Sequence, residues 1–99
     1  MVNSNCDKSC NDCIAACEKC IIHCEKDGNT ECAKLCKDCI DFCKLCVNLN
    51  SRWSEFYKDA CMLCCKVCEK CAASCKAWGY DDCAKACEEC KIAAKECCK

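Results

Sequence analysis

The feature that most constrains this chain is the spacing of its cysteines. Cys6, Cys10, Cys13, Cys17, Cys20 and Cys24 advance in steps of 4, 3, 4, 3, 4, and Cys32, Cys36, Cys39, Cys43 and Cys46 in steps of 4, 3, 4, 3. A third run is Cys61, Cys64, Cys68, Cys71 and Cys75, with Cys65 beside it. A fourth is Cys83, Cys87, Cys90 and Cys97, where Ala94 fills the missing step and Cys98 follows. Steps alternating between 3 and 4 put side chains on one face of an α-helix, whereas a strand would need steps of 2. The pattern predicts four helices, each with a sulfur stripe.

Punctuation between the runs agrees. Gly28 suits a helix C-terminus, with Asn29 or Thr30 as the next N-cap. Asn48 to Ser51 is predicted to separate the second and third helices, with Ser51 or Ser54 opening the third. Gly79 with Asp81 does the same between the third and fourth, and Ser4 with Asp7 resembles a capping pair for the first. Short connections make sequential helices antiparallel, so the predicted fold is all-α: an up-down-up-down four-helix bundle in one domain, residues 1–99. With the stripes at heptad positions a and d, 20 of the 22 cysteines fall in the core, and Cys65 and Cys98 fall at e. Flanking e and g positions carry Ile14, Ile21, Ala33, Leu35, Ile40, Phe42, Val47, Leu49 and Val67, while b, c and f are mostly charged or polar. Aliphatic seams around a sulfur axis follow.

Charge excludes several partners. Basic and acidic residues nearly balance at a net −1, and Arg52 is the only arginine. Neither a nucleic-acid nor an anionic-membrane surface is expected. No apolar run approaches the ~20 residues of a membrane span. The first residues contain no apolar signal core and no twin arginine, so a cytoplasmic location is expected, where thiols stay reduced.

A buried cysteine often acts as a small hydrophobe, but a core made almost wholly of cysteine would pack poorly without something else to fill it. Disulfides between residues three or four apart on one helix close almost no loop and lack good bridging geometry. Cys65-x2-Cys68-x2-Cys71-x3-Cys75 matches a ferredoxin spacing, yet lies inside a continuous helical pattern with Lys76 in place of the following proline. Metal ions on thiolates remain. The nine Cys-x3-Cys pairs, among them Cys6/Cys10, Cys13/Cys17 and Cys71/Cys75, can each aim two sulfurs at one ion. An isolated Zn(II) site of four thiolates carries −2, and stacking several along a dry axis is costly; one Cu(I) per thiolate is neutral. Soft sulfur also selects Cu(I). Bridged zinc or cadmium clusters, a metallothionein-like buffer, are the alternative; an Fe–S redox protein is the weaker one.

Repeated Cys-x3-Cys pairs along four helices resemble the bacterial copper storage proteins, and in particular their cytosolic branch. The resemblance covers essentially the whole chain. It implies many Cu(I) ions along the bundle axis, bound by cysteine pairs within and between helices, often a homotetramer, and loading through one open end that carries His or Met; all 22 cysteines are candidate ligands. His23, the only histidine, at the end of the first helix, is the candidate uptake ligand, and Met62 is the only internal methionine. Met62, Leu63 and Ile22 at outward positions are candidate subunit contacts. Trp53, Phe56 and Tyr57 are expected to plug one end of the bundle, with Trp78 and Tyr80 at the other. No residue pairing suggests catalysis. The copper donor or acceptor is unspecified.

Overall fold

The computed structural model describes residues 4–98, which form α1 (Ser4–Asp27), α2 (Thr30–Ser51), α3 (Tyr57–Ala77) and α4 (Asp81–Cys97). Each helix packs on two neighbours and lies diagonal to the third, giving an antiparallel four-helix bundle about 41 Å long and 18 Å across. The α1–α2 and α3–α4 turns reverse at Gly28 (φ 71°) and Gly79 (φ 80°), a left-handed conformation that glycine adopts without steric cost. Asn29 caps α2, its Oδ1 accepting from the Cys32 backbone N–H at 3.1 Å; such a cap is worth ~1 kcal/mol.

Three predicted boundaries move. The segment Asn48–Ser51 is helical, and the α2–α3 connection is residues 52–56 instead. Tertiary contacts override the poor helix propensity of asparagine there: Leu49 and Asn50 are buried, and Asn50 Nδ2 donates to Asp7 Oδ1 on α1 at 2.8 Å. That bond also gives Asp7 a role other than capping beside Ser4. Ser51 belongs to the last turn of α2, its hydroxyl donating to the Asn48 carbonyl. Ser54 Oγ accepts from the Phe56 backbone N–H ahead of α3, whose N-cap, Phe56, makes no side-chain cap bond. Asp81 lies in the first turn of α4, and Tyr80 occupies the cap position.

The aromatic plugs are not formed as predicted. Trp53, Phe56 and Trp78 are more than half exposed. At the α2–α3 end Leu49 and Asn50 are buried and Tyr57 is half-buried, while Trp53 lines the outside of a small cavity beside them. Along the seams, Ile14, Ile21, Leu35, Phe42, Val47 and Val67 pack half-buried against the cysteine column, with Ala33, Ile40 and Leu49 fully covered. Burying one Leu or Ile in this way contributes ~1.5–3 kcal/mol, so these seams and the buried cysteines favour the bundle without metal.

Candidate metal centre

Nineteen cysteines are buried on the bundle axis, and Cys65, Cys97 and Cys98 are half-buried. Cys65 and Cys98 were expected off the axis. Cys97 was placed on it, but α4 ends there and the side chain lies beyond the last full layer. The register follows from the sequence: each helix turns its 3/4 stripe inward because its other faces are charged, and antiparallel packing then brings stripes to common levels.

The closest sulfurs belong mostly to different helices. Cys13 lies 3.5 Å from Cys39 and 3.7 Å from Cys87; Cys32 lies 3.6 Å from Cys75, Cys39 3.6 Å from Cys68, and Cys43 3.7 Å from Cys90. Within helices, Cys64/Cys68, Cys20/Cys24 and Cys71/Cys75 are 3.8, 3.9 and 4.0 Å apart. The Cys-x3-Cys pairs anticipated from sequence are therefore one set of contacts within a denser network.

That network resolves into quartets whose sulfurs all lie within 4.8 Å of one another. Cys10, Cys43, Cys64 and Cys90 form a layer with one sulfur from each helix, as do Cys17, Cys36, Cys71 and Cys83. Between them stand Cys13/Cys39/Cys43/Cys68 and Cys13/Cys17/Cys39/Cys87, and Cys20/Cys24/Cys32/Cys36 continues the column. Each quartet shares at least one member with the next. The ferredoxin-like spacing makes no separate site, because Cys65 turns away from the axis on which Cys68, Cys71 and Cys75 lie.

Electrostatics of the metal-free column follow from burial and crowding. Burial first, and Cys32 second, push the Cys24 thiol up to about 12; burial likewise raises Cys20. Cys6 is raised by its contacts with Cys10 and Cys61, and Cys43 by those with Cys10 and Cys13. Cys36 is the opposite case: thiols of Cys17, Cys71 and Cys75 donate to it and hold it near 4. A few thiolates sit among many thiols, since each anion needs S–H donors from its neighbours.

The family model for Csp, copper storage protein, matches residues 2–99. The chain belongs to the copper storage protein family. Among solved structures, the Cu(I)-bound copper storage protein BsCsp3 is similar over all of both chains, with a TM-score of 0.92 and 29% identity. The metal-free copper storage protein 3 of Bacillus subtilis aligns over 95% of this chain and 96% of its own, with a TM-score of 0.87 and 34% identity. Comparison with curated protein sequences finds no match. Metal-free and Cu(I)-bound Csp relatives thus share one helix arrangement with this chain.

Two positions distinguish the ends of this Csp column. Toward the α2–α3 connection, Ala94 is fully buried on the inward stripe of α4, where a sulfur would continue the run of Cys87 and Cys90; Tyr57 lies beside Cys6 and Cys61. At the other end His23 is exposed, its ring stacked on Tyr80 with centroids 6.3 Å apart and planes 22° apart. Tyr80 is fixed in turn by donating its hydroxyl to Asp27 Oδ2 at 2.6 Å. Met62, Leu63 and Ile22 are exposed. Sequence reasoning overlooked Tyr57 as a neighbour of the sulfurs; its place four residues before Cys61, on the same helix face, was the available signal.

Proposed function

We propose that this chain stores or sequesters Cu(I), many ions per molecule, on the thiolates of its bundle axis. The overlap of the quartets carries the reading. A tetrahedral zinc site with bonds of ~2.3 Å has edges of ~3.8 Å, so sulfur separations alone admit either metal. Isolated tetrahedral sites, however, need disjoint sets of four ligands, and Cys13, Cys17, Cys36, Cys39 and Cys43 each serve two quartets. Bridging thiolates with two or three sulfurs per ion use such a column fully, and Cu(I) is the soft monovalent ion for which one ion per sulfur leaves no net charge. The ligands are the 22 cysteines, with His23 as the uptake ligand at the end where it is exposed. The role is storage, not catalysis. So many free thiols in mutual contact need a reducing compartment, which favours the cytoplasm. No described helix is long and apolar enough to cross a membrane. Exposed Met62 and Leu63 on α3 are the candidate contacts of a homo-oligomer.

Titration of reduced protein with Cu(I) against a competing chelator tests this. Saturation on the order of 10–20 ions per chain is expected, because neutrality favours about one ion per thiolate. Saturation at four or five would instead indicate layered tetrahedral sites and overturn the reading.

Ala94→Cys offers a gain-of-capacity check. The substitution adds one sulfur to the buried inward stripe of α4 and should raise saturation by about one ion, since each added thiolate neutralises one more Cu(I). The same titration on the variant measures it; unchanged capacity would mean that this end of the column holds no metal.

A further inference from the structure

The described seams are unequal. Leu35, Ile40, Phe42 and Val47 fill others, but Ala15 and Ala16 on α1 face Gly79 and Tyr80 across the junction with α4, and a groove of about 670 Å³ remains. That volume falls within the ~300–1,000 Å³ of small-molecule sites. Cys20 and Cys83 line it, and they are the two least covered axial cysteines, at 2% and 3% exposure where the rest are at 0–1%. Both connect to the column: Cys20 lies 3.7 Å from Cys75, and Cys83 lies 3.7 Å from Cys17. The groove walls carry both signs of charge, Lys19 on α1 and Asp81 and Asp82 at the start of α4, with Asp12 further along α1.

We propose that this groove binds a small zwitterionic peptide thiol, which exchanges Cu(I) with Cys20 and Cys83. The proposal rests on the storage reading and adds the exchange partner to it. Lys19 receives a carboxylate of the thiol, and the aspartates receive its ammonium group. The ring of Tyr80, held by Asp27 and stacked on His23, forms the rigid rim. In the exchange, the incoming sulfur bonds to Cu(I), the bond from copper to Cys20 Sγ breaks, and the proton of the incoming thiol passes to the released Sγ. The copper stays Cu(I) throughout, so no oxidant or reductant is required. A Cu(I) ion on a column neighbour, Cys75 for Cys20 or Cys17 for Cys83, can then pass to the released sulfur, whose proton moves to the sulfur left behind. A protein partner of larger size would meet only the groove's rim, because the sulfurs lie at its floor.

The test uses Cu(I)-loaded protein and two reductant thiols, reduced glutathione and uncharged 2-mercaptoethanol, with a Cu(I) chelator reporting release. Ala15→Phe places a ring in the groove from an exposed position, and Lys19→Glu reverses the carboxylate contact; Ala73→Phe, exposed on α3, is the control. Release by glutathione should slow about tenfold in Lys19→Glu, the loss of one charge-assisted contact, while release by 2-mercaptoethanol stays unchanged there. Ala15→Phe should slow both thiols, because both reach Cys20 and Cys83 through the groove, and both rates should stay unchanged in Ala73→Phe. Equal slowing of both thiols in Lys19→Glu, or no slowing in Ala15→Phe, would overturn the proposal. S-methyl glutathione with metal-free protein separates this from the storage reading: amide shifts at Ala15, Lys19, Tyr80 and Asp82 are expected whether or not copper is stored. Their absence would also overturn it.

Discussion

Loading the reduced protein with Cu(I) is expected to raise its melting temperature by about 30 °C or more. A ligand at a thousandfold excess over its dissociation constant adds ~4 kcal/mol per site when it binds only the folded state. In a chain of this size each kcal/mol moves the midpoint by ~4–8 °C, so two such sites already suffice and a column of quartets exceeds them. The metal-free protein should nonetheless be helical, because its caps and the apolar seams of Ile40, Leu49 and their neighbours do not involve metal. Thermal circular dichroism of both forms measures the shift. A random-coil spectrum for the reduced metal-free protein, or a midpoint that copper leaves in place, would contradict the account.

Acid should release the metal and alkali should unfold the empty bundle. Most axial thiols bind their protons more tightly when folded, as Cys24 does at about 12 against an ordinary 9. A group raised in this way contributes stability that is complete below pH 9 and is lost as pH rises through 12, because only the unfolded thiol ionises in between. The reduced metal-free protein should therefore lose its helical signal across that window. Cys36, held near 4, has the opposite sign: its contribution is present above the ordinary value and is lost as pH falls through 4. Once loaded, each sulfur gives its proton up to the ion. Binding should release about one proton per Cu(I), and affinity should fall about tenfold per pH unit below neutrality. A pH-stat titration and chelator competition at several pH values check both; pH-independent affinity would mean that the ions are not on thiolates.

The bundle and its axis were legible because a 3/4 stripe allows one periodicity, and Gly28, Asn29 and Gly79 occupy positions where helices must reverse. The end of α2 was not legible. Asn48 to Ser51 reads as a break by local propensity, and the burial of Leu49 and Asn50, with the bond from Asn50 to Asp7, 43 residues away, shows why it stays helical. The same limit applies to the sulfur network. Spacing reveals which sulfurs share a helix face, whereas the contact of Cys13 with Cys39 and Cys87 depends on the level at which three helices meet. Exposure of Trp53 and Trp78 is likewise set by how the connections leave the helix ends, which spacing does not encode. The groove, by contrast, had a signal that went unread: Ala16 lies at a seam position of α1 where a sealed seam would carry a larger side chain.

The overlap of the quartets bears on how such a column tolerates change. A row of separate sites is like a string of rooms, each lost entirely when one wall is removed. Here every room shares a wall with the next, and a deletion anywhere leaves a detour through adjacent sulfurs. Ala94 is such a deletion already present, and the helix around it is unbroken and its side chain fully buried. Cargo size can therefore drift in steps of a single residue while the scaffold stays the same, and an ion taken up at one end needs only to change one neighbour at a time to travel the length of the molecule.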